Sequence, residues 1–126
     1  MNNKTVVYQY NWGPPVTRFT INDDLIKKFL EKGNESREKK LDYRDSLAGN
    51  IEEEYYYEDY DWFKSDFAPY VNMYRKHLEE YCGIQCTDWL LDSLWINYQK
   101  AGEYNPPHLH PGHVSFIIYL DVPSEI

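Results

Sequence analysis

The 126-residue sequence is poor in basic residues and in long apolar runs. It has 13 Lys and Arg against 21 Asp and Glu, for a formal net charge of -8. Such a chain lacks the basic stripe that nucleic-acid backbones and anionic membranes attract. Its longest apolar-leaning run, Val114 to Leu120, is far shorter than the roughly 18 residues of a membrane-spanning helix, and the start has no apolar signal segment. We therefore expect a cytoplasmic protein that binds neither nucleic acid nor membranes.

Cysteine is also scarce, because Cys82 and Cys86 are the only two. There is no second pair to complete a zinc site. The favoured interpretation is two reduced thiols, and the alternative is a local disulfide or redox pair.

The length fits a single domain, residues 1–126, in which residues 1–90 form a mainly helical lead-in. Asn22 is a good N-cap for a first helix, which we expect to end at Gly33. The apolar residues from Phe63 to Tyr81 recur with the period of one helix face, and Gly83 lies where a C-terminal cap belongs.

Three features of this lead-in remain open. Pro69 predicts either a kink or a helix start just before it. His77 lies away from the apolar stripe, and we expect it on the surface. The run IEEEYYYEDYDW, residues 51–62, is predicted to be a solvated acidic face with tyrosine stems on the core; the alternative is a docking patch for a basic partner.

Residues 91–126 have the composition of strands. Leu91 to Tyr98 and Val114 to Val122 are rich in aromatic and β-branched residues and flank a connection rich in Gly, Pro and Asn. In the second run both faces have apolar content, which predicts a strand covered on both sides, as in a sandwich or a closed barrel.

Three of the four histidines lie in NPPHLHPGH, residues 105–113. In an extended strand, His108 and His110 project from one face and aim at one point, while Leu109 packs behind. Two histidines retain a metal poorly unless a third ligand comes from elsewhere. The pattern predicts a two-ligand metal edge, and the alternative is a pair of histidines bonded to water or to neighbours. We expect His113 to be exposed.

The stretch WINYQKAGEYNPPHLHPGHVSFIIYLDVP resembles the ligand region of the iron(II)/2-oxoglutarate-dependent oxygenases. It is most similar to prolyl-4-hydroxylase-like enzymes and to a group of oxygenases from bacteria and their viruses. The shared positions are, in order, Tyr98, Gly102, the run His108-Leu109-His110 and the pair Tyr119-Leu120. The upstream LAGNIEEEY is similar to the helical lead-in of the second group. The resemblance implies an α+β fold whose N-terminal helices pack on the opening strands of a double-stranded β-helix, the jelly-roll or cupin-like barrel.

The resemblance also implies roles for four residues. His108 is the first iron ligand, and His110 takes the place where a carboxylate more often lies. Either His110 is a ligand in place of that carboxylate, or the metal site is altered. Tyr119 matches a tyrosine that hydrogen-bonds 2-oxoglutarate and Tyr98 one that lines the same pocket, so both should face inward; ordinary packing is the alternative for either. The implied cofactors are iron(II), 2-oxoglutarate and dioxygen. The implied reaction is hydroxylation of a peptide or protein side chain, or of a small molecule.

Two parts of that family's site have no counterpart in the sequence. No histidine follows His113 and no Arg or Lys follows Lys100, whereas the family takes its last iron ligand and the cationic partner of 2-oxoglutarate from later strands. The barrel is therefore expected to be incomplete in this chain, and three interpretations follow. The chain is a truncated or split oxygenase completed by a second polypeptide, or two copies meet around one metal, or it is a non-catalytic binding or scaffold protein derived from the fold. The sequence leaves open whether the chain is an enzyme.

Overall fold

The structure, a computed structural model, describes residues 4–124. Two helices and two antiparallel two-stranded sheets give an α+β fold, which confirms the predicted class. Along the chain the elements are β1 (Val7–Tyr10), β2 (Val16–Phe19), α1 (Asp23–Glu38), a 3-10 turn (Arg44–Ser46), β3 (Glu54–Tyr56), α2 (Asp61–Cys82) and β4 (Trp95–Asn97). Strand β1 pairs with β2 and strand β3 with β4, and no closed barrel forms within residues 4–124. No helix in the described part of the chain combines the length and apolar character needed to cross a bilayer.

The described chain divides into two compact units, each assembled from two separate stretches. The first unit comprises residues 4–26 and 59–91. The second comprises residues 27–58 and 92–124. The first residues of helix α1 belong to the first unit, and the rest of the helix belongs to the second.

The first unit is a β-hairpin with helix α2 packed against strand β2. The hairpin, which the sequence did not lead us to predict, pairs β1 and β2 in the register Val7 to Phe19. The Phe19 ring meets the Tyr70 ring edge-on, with centroids 5.6 Å apart. The Tyr74 hydroxyl donates to the Pro15 carbonyl over 3.0 Å. Helix α2 therefore contacts both the second strand and the turn that precedes it.

Helix α2 confirms most of what its sequence pattern predicted. Phe63, Phe67 and Leu78, from the apolar stripe, are buried, whereas Tyr81 at the end of the predicted stripe is 61% exposed. Gly83 ends the helix with φ 65°, and the N–H groups of Gly83 and of the residue after it both donate to the Leu78 carbonyl. Pro69 lies inside the helix rather than at its start. The helix accommodates it although proline has no N–H to donate to the preceding turn.

Helix α1 begins as predicted and ends later than predicted. The side-chain oxygen of Asn22 accepts a hydrogen bond from the Leu25 N–H at 2.8 Å, as an N-cap does. The expected end at Gly33 is wrong, since the helix continues to Glu38. Gly33 does not end the helix but lets other side chains pack closely against it. A Cβ there would collide with the Ile96 side chain and lie 3.2 Å from the Tyr57 hydroxyl.

The second unit has its own apolar core around the short sheet β3–β4. Its buried apolar side chains are Phe29, Ile51, Tyr57, Leu94 and Ile96. The Tyr57 hydroxyl donates to the Phe29 carbonyl at 2.9 Å, and burial raises the pKa of Tyr57 well above its ordinary value. The Tyr57 hydroxyl thus loses its contact with water when the core forms, and the hydrogen bond to Phe29 replaces that contact.

Both predicted strands in residues 91–122 needed correction. Within Leu91 to Tyr98 only Trp95–Asn97 forms a strand. Residues 114–122 form none. A strand is stable only when its backbone groups pair with a neighbour, and in the described part of the chain this run is bonded to no other strand. The expectation that both of its faces are covered is wrong as well, because Ile117 is 77% exposed.

Candidate metal centre

The histidine-rich segment is an exposed loop whose shape begins at its prolines. Pro106 and Pro107 have fixed φ angles, which limits how the chain can approach His108. The Nδ1 of His108 lies 2.7 Å from the Pro106 carbonyl oxygen. Because a carbonyl can only accept, Nδ1 carries the proton and the Nε2 lone pair of His108 is left for another partner.

The structure brings the two predicted metal ligands together. The Nε2 atoms of His108 and His110 are 3.0 Å apart, and the ring centroids are 4.6 Å apart with the planes at 64°. Two ligand atoms that each lie about 2.1 Å from a metal ion and at right angles to each other are about 3.0 Å apart. The pair therefore fits neighbouring positions around one octahedral ion. The same separation also fits a hydrogen bond in which one Nε2–H donates to the other ring.

The backbone around the pair differs from the predicted packed strand. Residues 108–110 are not a strand, and Leu109 is 97% exposed instead of packing behind the histidines. His113 is exposed, as expected. Within residues 4–124 no group of three or more His, Cys, Asp or Glu side chains could hold a metal. The described chain thus brings two imidazoles together without a third side chain of these types beside them.

Tyr98 lies in a polar cluster of the second unit. Its hydroxyl donates to the Asn34 side-chain oxygen at 2.6 Å, and the Arg37 guanidinium lies 4.3 Å above the centre of its ring. Arg37 also binds both carboxylate oxygens of Glu53, at 2.6 and 2.9 Å. Burial raises the pKa of Tyr98, against the opposing effect of Arg37, while Arg37 lowers the pKa of Glu53. The Tyr98 hydroxyl proton is donated to Asn34 in an exposed hydrogen bond, and a role of Tyr98 in binding 2-oxoglutarate stays a prediction.

Tyr119 does not share that cluster. Its side chain is 75% exposed and therefore does not face inward as expected. Among residues 4–124 no hydrogen bond or ring contact joins it to Tyr98. The described residues consequently offer a divalent metal two fitting donors, but they do not assemble a pocket for 2-oxoglutarate around the two tyrosines.

Sequence reasoning missed the most deeply buried histidine. His77 is 0% exposed, so the prediction of a surface position is wrong. One ring nitrogen bonds the Thr17 hydroxyl and the other bonds the Asn11 side-chain oxygen. The signal was present in the spacing, because the rings of Tyr74 and Tyr81, three residues before and four after, both meet His77 edge-on.

Sequence reasoning also missed a buried carboxyl in the acidic run. Glu54, in strand β3, is 1% exposed, so the predicted solvated acidic face is wrong at this position. Residues 52–61 contain six acidic side chains, and nothing in the neighbouring sequence distinguishes Glu54 from the other five.

The two cysteines have the predicted form. Cys82 and Cys86 are both free thiols, the first exposed and the second half-buried. No protein-family model, no curated protein and no solved structure matches this chain.

Proposed function

We propose that this chain carries the first two iron ligands of an iron(II)/2-oxoglutarate-dependent oxygenase, His108 and His110. The observation that supports the proposal is the 3.0 Å separation of their Nε2 atoms. The order of the residues around them resembles the oxygenase family. The substrate class is a peptide or protein side chain, or a small molecule.

The chain's own contribution is to orient two neutral donors. The hydrogen bond from His108 Nδ1 to the Pro106 carbonyl directs Nε2 away from the backbone. Imidazole is a donor that suits iron(II), and a site with only two protein ligands leaves several positions for other ligands. When bound, iron(II) supplies the dioxygen chemistry by which this class hydroxylates unactivated C–H bonds, with 2-oxoglutarate as the co-substrate.

The double-stranded β-helix is part of this proposal. Residues 114–122 follow the histidines and form no strand in the described chain, and Ile117 and Tyr119 point apolar surface into solvent. Further strands, from a second polypeptide or a second copy, would pair with this run and cover that surface. The same strands would provide the third metal ligand and the cation that binds 2-oxoglutarate.

A non-catalytic binding or scaffold protein is the second candidate. The observation that favours it is the exposure of Leu109, at 97%, beside Ile117 and Tyr119, because exposed apolar side chains close together in the chain mark surfaces that bind partners. A binding or scaffold protein requires no metal, so metal binding distinguishes the two candidate functions.

The test is an anaerobic iron(II) titration of the purified chain, with and without 2-oxoglutarate. We expect saturable binding at one iron per histidine pair, lost in His108→Ala and in His110→Ala. His110→Asp should retain binding, since a carboxylate is the more common ligand at that place in the resembled family. Addition of 2-oxoglutarate should tighten it.

His113→Ala is the matched control, because His113 is an exposed histidine of the same segment. It should bind iron like the wild type. Equal binding by the wild type and both ligand variants would contradict the oxygenase proposal and leave the binding protein as the better account.

A further inference from the structure

Glu54 is an acidic side chain buried without a partner. Neither of its carboxylate oxygens has a hydrogen-bond donor among the described residues, although the residue is 1% exposed. An unpaired carboxylate is among the costliest groups that a fold can bury. Burial raises the pKa of Glu54, and the negative charges of Asp42 and Glu103 act in the same direction against the opposing charge of Arg44. A group of this kind indicates a missing partner of positive charge.

Two amide oxygens adjoin this carboxylate. Asn97 lies directly opposite Glu54 in the β3–β4 ladder, so the two side chains share one face of the sheet. The Asn97 side-chain oxygen is also buried without a partner. Asn105 reaches the carboxylate from the loop that follows: a Cβ on Gly49 would lie 2.5 Å from the Asn105 side-chain oxygen and 2.9 Å from Glu54 Oε1. Both oxygens therefore occupy the space beside Gly49 that any other residue would fill.

The cluster is an all-oxygen donor set with an excess of negative charge. Its members are a carboxylate and two amide oxygens, and two of the three side chains have buried oxygens that accept no hydrogen bond. Oxygen donors of this type are the ligands of hard divalent cations. Calcium accepts irregular carboxylate and amide oxygens, whereas magnesium demands regular octahedral geometry and gives up its water reluctantly.

We propose that Glu54, Asn97 and Asn105 bind a divalent cation, with calcium preferred over magnesium. The site lies within the second unit and differs in chemistry from the imidazole pair, because it offers no nitrogen donor to a softer metal. It does not depend on the proposed oxygenase function. Bound calcium would tie strand β3 to β4 and to the loop that carries Asn105.

The experiment is a calorimetric titration of the chelator-treated chain with CaCl2 and separately with MgCl2, together with thermal unfolding in each salt. We expect one calcium per chain and weaker binding of magnesium. At a calcium concentration about 100 times the Kd, the Tm should rise by roughly 10 °C. Glu54→Gln, which keeps the shape and removes the charge, should abolish both responses.

Asn105→Ala is the second variant, since Asn105 is exposed and its loss leaves no cavity in the core. It should weaken calcium binding at least about tenfold, one ligand's contribution, even if Glu54→Gln folds poorly. Glu52→Gln is the matched control, an exposed acid two residues from Glu54 whose partner is Lys100, and it should bind calcium like the wild type.

The proposal is overturned if neither cation gives heat or a Tm shift in the wild type, if the response survives in Glu54→Gln, or if Asn105→Ala binds calcium as tightly as the wild type. Loss of the calcium response in His108→Ala would overturn it too, because calcium would then be bound at the imidazole pair. Failure of iron binding with an intact calcium response would refute the oxygenase proposal alone.

Discussion

The first unit and the histidine-rich loop use the same side chain in opposite ways. His77 is fully buried, and both of its ring nitrogens are bonded to protein groups, Thr17 and Asn11. His108 and His110 are exposed, and each presents an Nε2 to the other. An imidazole with both nitrogens used inside the fold has no capacity for a ligand. An imidazole with one nitrogen directed outward can bind one.

The comparison extends to a carboxyl group. Glu54 is buried as deeply as His77 but has no partner in the described chain. Burial by itself therefore does not separate structural residues from binding residues. The two kinds of residue differ in whether their buried polar atoms have hydrogen-bond partners.

The largest effect is expected from His77→Ala. It leaves a cavity and removes the partners of Thr17 and Asn11, so it should lower the free energy of unfolding by about 3 kcal/mol. Urea denaturation followed by circular dichroism measures this. The control, His113→Ala, should stay within about 0.5 kcal/mol of the wild type. A similarly small change for His77→Ala would break the comparison.

A smaller loss is expected from Thr17→Val, which keeps the shape and removes only the hydroxyl bonded to His77. The unpaired ring nitrogen should lower the free energy of unfolding by about 1–2 kcal/mol. Thr20→Val, at an exposed threonine beyond strand β2, is the control. Equal stability of the two variants in urea would show that the Thr17 hydroxyl contributes nothing to holding His77.

The sequence predicts the apolar face and the caps of the helices but not the burial of His77. The stripe from Phe63 to Leu78 and the caps at Asn22 and Gly83 are local patterns, and they were predicted because residues a few positions apart decide them. The burial of His77 is not a local pattern, because its partners, Thr17 and Asn11, lie 60 and 66 positions away in a hairpin region that the sequence does not predict.

The candidate site shows the same limit. His108 and His110 meet as their spacing predicts, although residues 108–110 are a loop and not a strand. The strand expected to carry them depends on hydrogen bonds to another strand, which their own sequence does not encode. Glu54 was missed for the same reason, since its burial depends on strand β4, opposite Asn97.

The pH dependence of stability should test whether the Glu54 carboxyl is buried without a partner. The folded-state pKa of Glu54 lies above its ordinary value of 4.5, so the folded chain binds more protons than the unfolded chain in that window. In chelator, stability should therefore fall as the pH rises above about 4.5. Glu54→Gln should lack this decline and be about 1 kcal/mol more stable at pH 7. Thermal unfolding at several pH values tests it, and parallel profiles for the two proteins would contradict it.

The smallest effect is expected from His108→Ala and His110→Ala without metal. Both side chains are exposed, so each substitution should change the free energy of unfolding by less than about 0.5 kcal/mol. Urea denaturation in chelator checks this. A loss as large as that of His77→Ala would mean that the pair holds the fold, and the distinction between the two kinds of histidine would fail.

The central claim is that the imidazoles of His108 and His110 bind one metal ion together. X-ray absorption spectroscopy of the chain loaded with one equivalent of iron(II) under anaerobic conditions tests it directly. The account predicts two imidazole nitrogens at about 2.1 Å from the iron in the wild type and none in His108→Ala, which no longer binds the ion. A spectrum with only oxygen ligands, unchanged by His108→Ala, would contradict it.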